Sequence, residues 1–156
     1  MPPLPRRAAL ALIIGAPVFG ALAGCGRRGP EATRLDNAGS PRLNALIERT
    51  AKRYDVPADL VHRVVKRESN YNPAARNGPY YGLMQILPET ARTMGYRGAP
   101  EGLLDAETNL TYGTRYLRGA WLVSRGNRDR AVMWYARGYY YEAKRMGLLK
   151  ETGLRA

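Results

Sequence analysis

Residues 57–73 read Pro57-Ala58-Asp59-Leu60-Val61-His62-Arg63-Val64-Val65-Lys66-Arg67-Glu68-Ser69-Asn70-Tyr71-Asn72-Pro73. Leu60, Val61, Val64 and Val65 recur at the i, i+3, i+4 spacing of an amphipathic helix, and Pro57 suits its first position. Asp59 falls in the first turn, where the backbone dipole favours an acid. The same period puts Glu68 on the apolar face, one or two turns beyond Val61, Val64 and Val65. A carboxylate on a buried face needs a reason. One reading is catalytic: burial raises a carboxyl pKa, and a raised pKa suits a general acid working near neutral pH. The other is that the helix frays and Glu68 reaches solvent or pairs with a nearby arginine. The polar run Ser69-Asn70-Tyr71-Asn72-Pro73 reads as a turn that leaves the acid at a cleft edge.

Further helical stripes flank this one. Arg42–Tyr54 carries Leu43, Leu46, Ile47 and Ala51, and Pro88 opens a helix ending near Gly95. Asp105 or Thr108 opens a long helix with Leu110, Gly113, Leu117 and Trp121 on one stripe, closed by Gly126. Asn127 and Asp129 lead another through Val132 and Tyr135 to Gly138, and a short last helix is expected from Tyr141 to Met146. Alternating strand patterns are almost absent, so the fold class expected is all-α. His62 lies off the Val61/Val65 centre and reads as a surface residue; Trp121 and Trp134 read as core.

The chain has 156 residues, 45% of them hydrophobic, which fits one globular domain and excludes disorder of the whole. One Cys and one His exclude an internal disulfide and an ordinary structural zinc site, and neither metal nor cofactor is expected. Against 13 Asp+Glu stand 25 Lys+Arg, a formal charge of +12. All the basic residues but Lys52, Lys66, Lys144 and Lys150 are arginine, which suits carboxylate and phosphate recognition and is also what a GC-rich genome produces. Nucleic acid, anionic lipid and an acidic wall polymer would all satisfy such a charge.

The N-terminus narrows that choice. Residues 1–24 contain no acid, and Arg6-Arg7 precede an apolar run from Ala8 to Ala23, interrupted by Pro17. The run is short for a span of about 20 residues and reads as a secretory signal. It ends in Leu22-Ala23-Gly24-Cys25, which resembles the lipobox of bacterial lipoproteins; the alternative is an ordinary signal with a chance Cys near the cut. The resemblance implies a leader at 1–24 and a lipidated Cys25. Residues 25–40, with Gly26, Gly29, Pro30, Gly39 and Ser40, then read as a flexible tether, and 41–156 as the folded domain. Gly26 after the Cys resembles the outer-membrane default of Gram-negative lipoproteins, which implies a protein facing the periplasm. Export removes nucleic acid from the expected partners and leaves a wall polymer or a membrane surface.

Glu68-Ser69 with Asn72-Pro73, then Gly82-Leu83-Met84-Gln85 and Pro88-x-Thr90-Ala91, resemble the catalytic core of soluble lytic transglycosylases. Asn109-Leu110, Gly113 and Tyr116-Leu117 are similar to a later helix of that family, and Tyr135 and Gly138 to its Tyr-Asn-Ala-Gly motif. The likeness covers about residues 57–138 and implies a lysozyme-like helical fold related to goose-type lysozyme. It implies cleavage of the β-1,4 bond between N-acetylmuramic acid and N-acetylglucosamine in peptidoglycan strands, without water, by a monomer. Glu68 would act as the single general acid and base: it protonates the glycosidic oxygen, then takes the proton of the muramic C6 hydroxyl as a 1,6-anhydro ring closes. An attached hydroxyl gains from proximity and needs no second carboxylate. The resemblance further makes Gln85 a ligand of the sugar amide and Tyr135 a hydrogen-bond partner of the catalytic carboxylate. It lines the cleft with Thr90 and Asn77, the latter where relatives carry Ser, and includes Met84 and Ser69 among the substrate-binding positions. Glu89 and Asp105 read as structural, Asp105 as a helix cap.

One departure concerns the last motif, which here is Tyr135-Ala136-Arg137-Gly138. Ala136 lacks the amide of the family's Asn, while Arg137 offers donors suited to a peptide carboxylate. Two other functions therefore stand beside the first: a peptidoglycan-binding scaffold lipoprotein without turnover, and a hydrolytic goose-type muramidase. The run Tyr139-Tyr140-Tyr141 packs on the domain or stacks on sugar faces.

Overall fold

The computed structural model describes residues 39–155; the expected leader, Cys25 and nearly all of the expected tether lie outside them. Helix α1 (Pro41–Arg53) begins where Ser40 accepts a hydrogen bond from the Leu43 amide, with Pro41 at its first position. Helix α2 (Ala58–Ser69) starts one residue later than the sequence suggests, because Pro57 is its cap. Leu60, Val61, Val64 and Val65 are all fully buried, as their spacing predicts.

Two short strands follow, β1 (Arg76–Asn77) and β2 (Tyr80–Tyr81), paired antiparallel as a hairpin. The fold class is all-α as expected; these two strands escape the sequence pattern because two residues each are too few to show an alternating period. Helix α3 (Pro88–Thr93) and a 3₁₀ turn (Pro100–Leu104) lead into the long helix α4 (Ala106–Val123). Asp105 caps α4 by accepting from the Thr108 amide, the role expected of it. Helix α5 (Arg128–Arg137) is capped in the same way by Asn127, and α6 (Tyr140–Arg145) follows it.

Helix α4 forms the spine of the domain. Asn109, Leu110, Gly113, Thr114, Leu117, Gly119, Ala120 and Val123 are buried on it, and α1, α3, α5, α6 and the 3₁₀ turn all pack against it. Its glycines allow close approach: a Cβ on Gly113 would strike Met84, and one on Gly119 the Tyr139 ring, whose hydroxyl donates to Tyr116 O at 2.8 Å. The main apolar core joins α1, α2, α4, α5 and α6, and a smaller one holds Tyr81, Ile86, Ala91, Tyr96 and Leu103; Tyr116 packs against both. No helix among the described residues is long and apolar enough to cross a membrane.

Two packing expectations change. His62 is not a surface residue: its side chain is 21% exposed, with Nδ1 3.3 Å from the Tyr71 hydroxyl and Nε2 3.6 Å from Glu48. The turn after α2 folds Tyr71 back over it. The three adjacent tyrosines divide, with Tyr139 in the core and Tyr140 and Tyr141 exposed.

Candidate active site

Glu68 stands in the last turn of α2, and the chain leaves that helix through two left-handed residues, Asn70 (φ 48°) and Tyr71 (φ 65°). This abrupt exit stops the apolar face one turn after Val64 and Val65, so the carboxyl emerges at the boundary between core and solvent. Its side chain is 22% exposed, with Arg67 Nε 3.6 Å from Oε1. Burial pushes the Glu68 carboxyl above the ordinary carboxylate range, and the Arg67 charge opposes that rise.

The loop from Tyr81 to Leu87 faces this carboxyl, and it is pinned from below. Asn109 on α4, fully buried, accepts from the Met84 amide at 2.8 Å and donates to Tyr81 O at 2.8 Å and Leu103 O at 2.7 Å. Gly82 sits against this amide at φ +70°, where a Cβ would collide with Asn109 Nδ2 and Leu103 O. Gln85 is held at φ 46°, and its amide nitrogen donates to Gly82 O at 2.8 Å and Ala75 O at 3.1 Å. Its carbonyl oxygen is thereby left to accept from a ligand.

Three residues expected at the substrate do other work. The Ser69 hydroxyl lies 2.8 Å from Leu83 O and 3.2 Å from Val65 O, tying the end of α2 to the loop. Met84 is fully buried, with its side chain against Gly113 and its sulfur 3.7 Å from the Thr114 hydroxyl, so it forms the floor beneath the cleft. The Tyr135 hydroxyl donates to Met84 O at 2.8 Å rather than to Glu68, because that buried carbonyl otherwise lacks a partner. Burial, then the Glu68 charge and Tyr116, hold the Tyr135 hydroxyl far above its usual pKa, so it stays a neutral donor.

Above this floor lie two chambers along the seam between the cores. The first, about 190 Å³, is lined by Arg67, Glu68, Asn77, Tyr80, Gln85, Tyr135 and Ala136. The second, about 230 Å³, shares Tyr80, Gln85, Tyr135 and Ala136 and adds Ile86, Leu87, Thr90, Tyr116, Arg137 and Gly138. The shared residues make them one cleft. Glu68, Gln85, Tyr135, Asn77 and Thr90 are thus brought together, and Ser69 and Met84 are not. Arg67 and Tyr80 were missed by sequence reasoning; Arg67 adjoins the acid, but its helix position faces outward, and Tyr80 enters only through the hairpin. A larger hollow of about 440 Å³ lies elsewhere, among α1, Tyr71 and the start of α4. Among the described residues no group of three His, Cys, Asp or Glu is placed to hold a metal ion.

Fold and site together define a lysozyme-like helical domain with one half-buried acid in a two-chambered cleft. The chain belongs to the transglycosylase SLT domain family, whose sequence profile matches residues 45–150. It is similar to membrane-bound lytic murein transglycosylase E of Buchnera aphidicola, 38% identical over 82 residues, covering 47% of this chain and 37% of that protein. It is also similar to membrane-bound lytic murein transglycosylase C of Yersinia pestis, 35% identical over 80 residues, covering 46% of this chain and 22% of that protein. Among solved structures it resembles the 70 kDa soluble lytic transglycosylase of Escherichia coli, with a TM-score of 0.58 and 28% identity over 70% of this chain and 19% of that one. The matched region thus spans well under half the length of each of these proteins.

Proposed function

We propose that this chain cleaves the MurNAc-β-1,4-GlcNAc bond of peptidoglycan non-hydrolytically, leaving 1,6-anhydro-MurNAc ends. The observation that carries the reading is that, among the described residues, Glu68 is the one carboxyl group lining either chamber. A hydrolase of the usual kind needs a second carboxylate about 5–9.5 Å away to attack the sugar or to activate water. A transglycosylase needs only one, used twice. Glu68 gives its proton to the glycosidic oxygen as the C1–O bond breaks, then takes the proton of the C6 hydroxyl as the C1–O6 bond forms. Proton and charge return to their starting places, and no water is consumed. Tyr135 acts at one remove, holding the Met84 backbone, while Gln85 offers its carbonyl oxygen to a sugar N–H.

Digestion of purified sacculi followed by mass spectrometry tests this reading. Anhydro-muropeptides are the expected product; reducing ends would show hydrolysis, and tight pelleting without products would show a binding protein. The first step requires protonated Glu68, whose pKa is raised by burial. Activity is therefore expected to fall as pH rises through that pKa, and the fall to begin at higher pH than an exposed Glu would give.

The placement in the cell is part of the same proposal. Leu22-Ala23-Gly24-Cys25 supports export with lipidation at Cys25, and Gly26 supports anchorage at the outer membrane facing the periplasm; the protein is proposed to act as a monomer. The two relatives are membrane-bound by name. The mature protein is expected to begin at Cys25 with acyl chains attached; an unmodified Cys25 in its mass spectrum would overturn the anchor.

A further inference from the structure

The two chambers of the cleft differ in charge. In the first, Glu68 and Arg67 oppose each other at 3.6 Å. Among the described residues the second contains no acid, and Arg137, the last residue of α5, is the one charged group on walls that otherwise offer aromatic, aliphatic, hydroxyl and amide groups. Arg137 is exposed and forms no ion pair with any described residue, which leaves its guanidinium open to a ligand. Beside it Ala136 presents only a methyl group where the chambers meet. A guanidinium carries five N–H donors in a planar fork that fits a carboxylate in two-point fashion.

We propose that Arg137 is a specificity-determining residue that binds a carboxylate carried on the sugar in the second chamber. This rests on the reading of the cleft as a peptidoglycan site. N-acetylated sugars are themselves neutral, so the acids that can reach the guanidinium are those on the muramic substituent. Two sources share that chemistry: the carboxylates of a stem peptide, and the lactyl carboxylate left when the peptide is removed. The protein thereby favours strands with acidic substituents over a neutral glycan with the same backbone.

The test is calorimetric titration of the full chain carrying Glu68→Gln, so that ligands are not consumed, with and without Arg137→Ala or Arg137→Lys. The ligands are a peptide-bearing tetrasaccharide, the same oligomer stripped of peptide, and chitotetraose. Arg137→Ala is expected to weaken at least one carboxylate ligand about tenfold relative to chitotetraose, with Lys restoring part of the loss. The ligand whose advantage disappears identifies the source of the carboxylate. An equal loss for all three ligands, or no change in their ratio, would overturn the inference while leaving the cleft a glycan site. Failure of all three to bind would overturn the glycan reading and this inference with it.

Discussion

Glu68→Gln is expected to reduce glycan cleavage by roughly 10³-fold while the domain remains folded. Glutamine matches the shape of the acid but has no proton to give the leaving oxygen and no base to take the C6 proton. Among the described residues no other carboxyl group lines either chamber to substitute for it. The same replacement is expected to stabilise the protein. Because burial raises the folded pKa of Glu68, its ionisation opposes folding, and stability present at low pH is lost as pH rises through that value. Gln does not ionise, so the variant should melt above the wild type at neutral pH, and the two should converge in acid. Sacculus digests paired with thermal unfolding at both pH values check this; a variant that is unfolded, or one that cuts normally, would remove Glu68 from its role.

Asn109→Ala should have the largest effect on folding, about 3–5 kcal/mol of unfolding free energy. The substitution strands the Met84 amide and the Leu103 carbonyl, and leaves Tyr81 O with the Ile86 amide as its donor. It also removes the surface on which Gly82 rests. Cleavage should fall with stability, because Gln85 and the carbonyl that holds Tyr135 belong to the loop so released. Urea unfolding gives the measurement, and a loss below about 1 kcal/mol would mean that the loop has another support.

The helices and the acid were legible because both follow from the 3.6-residue period. Val61, Val64 and Val65 mark a face, and Glu68 shares it. Caps were legible for a similar local reason, since Asp105 and Asn127 each bond an amide three residues on. Partnerships across the fold were not. Asn109 reaches Met84 and Tyr81, 25 and 28 residues away, and no spacing announces such a hub. Tyr135 lines both chambers, but its hydroxyl partner depends on which buried carbonyl lacked a donor. Ser69 and Met84 lie within the right motifs yet beneath the substrate surface, a distinction that requires depth as well as order.

Asn109 holds the loop from Tyr81 to Leu87 from underneath, whereas residues 76–80 of the hairpin above it are all exposed and a Cβ on Gly78 would meet nothing. Folding free energy is thus concentrated below Glu68, and the exposed hairpin contributes little to it. Natural variation can lengthen, shorten or recolour that rim at small cost to the fold. Divergent substrate preferences can therefore arise in this lineage around an unchanged acid, one loop at a time.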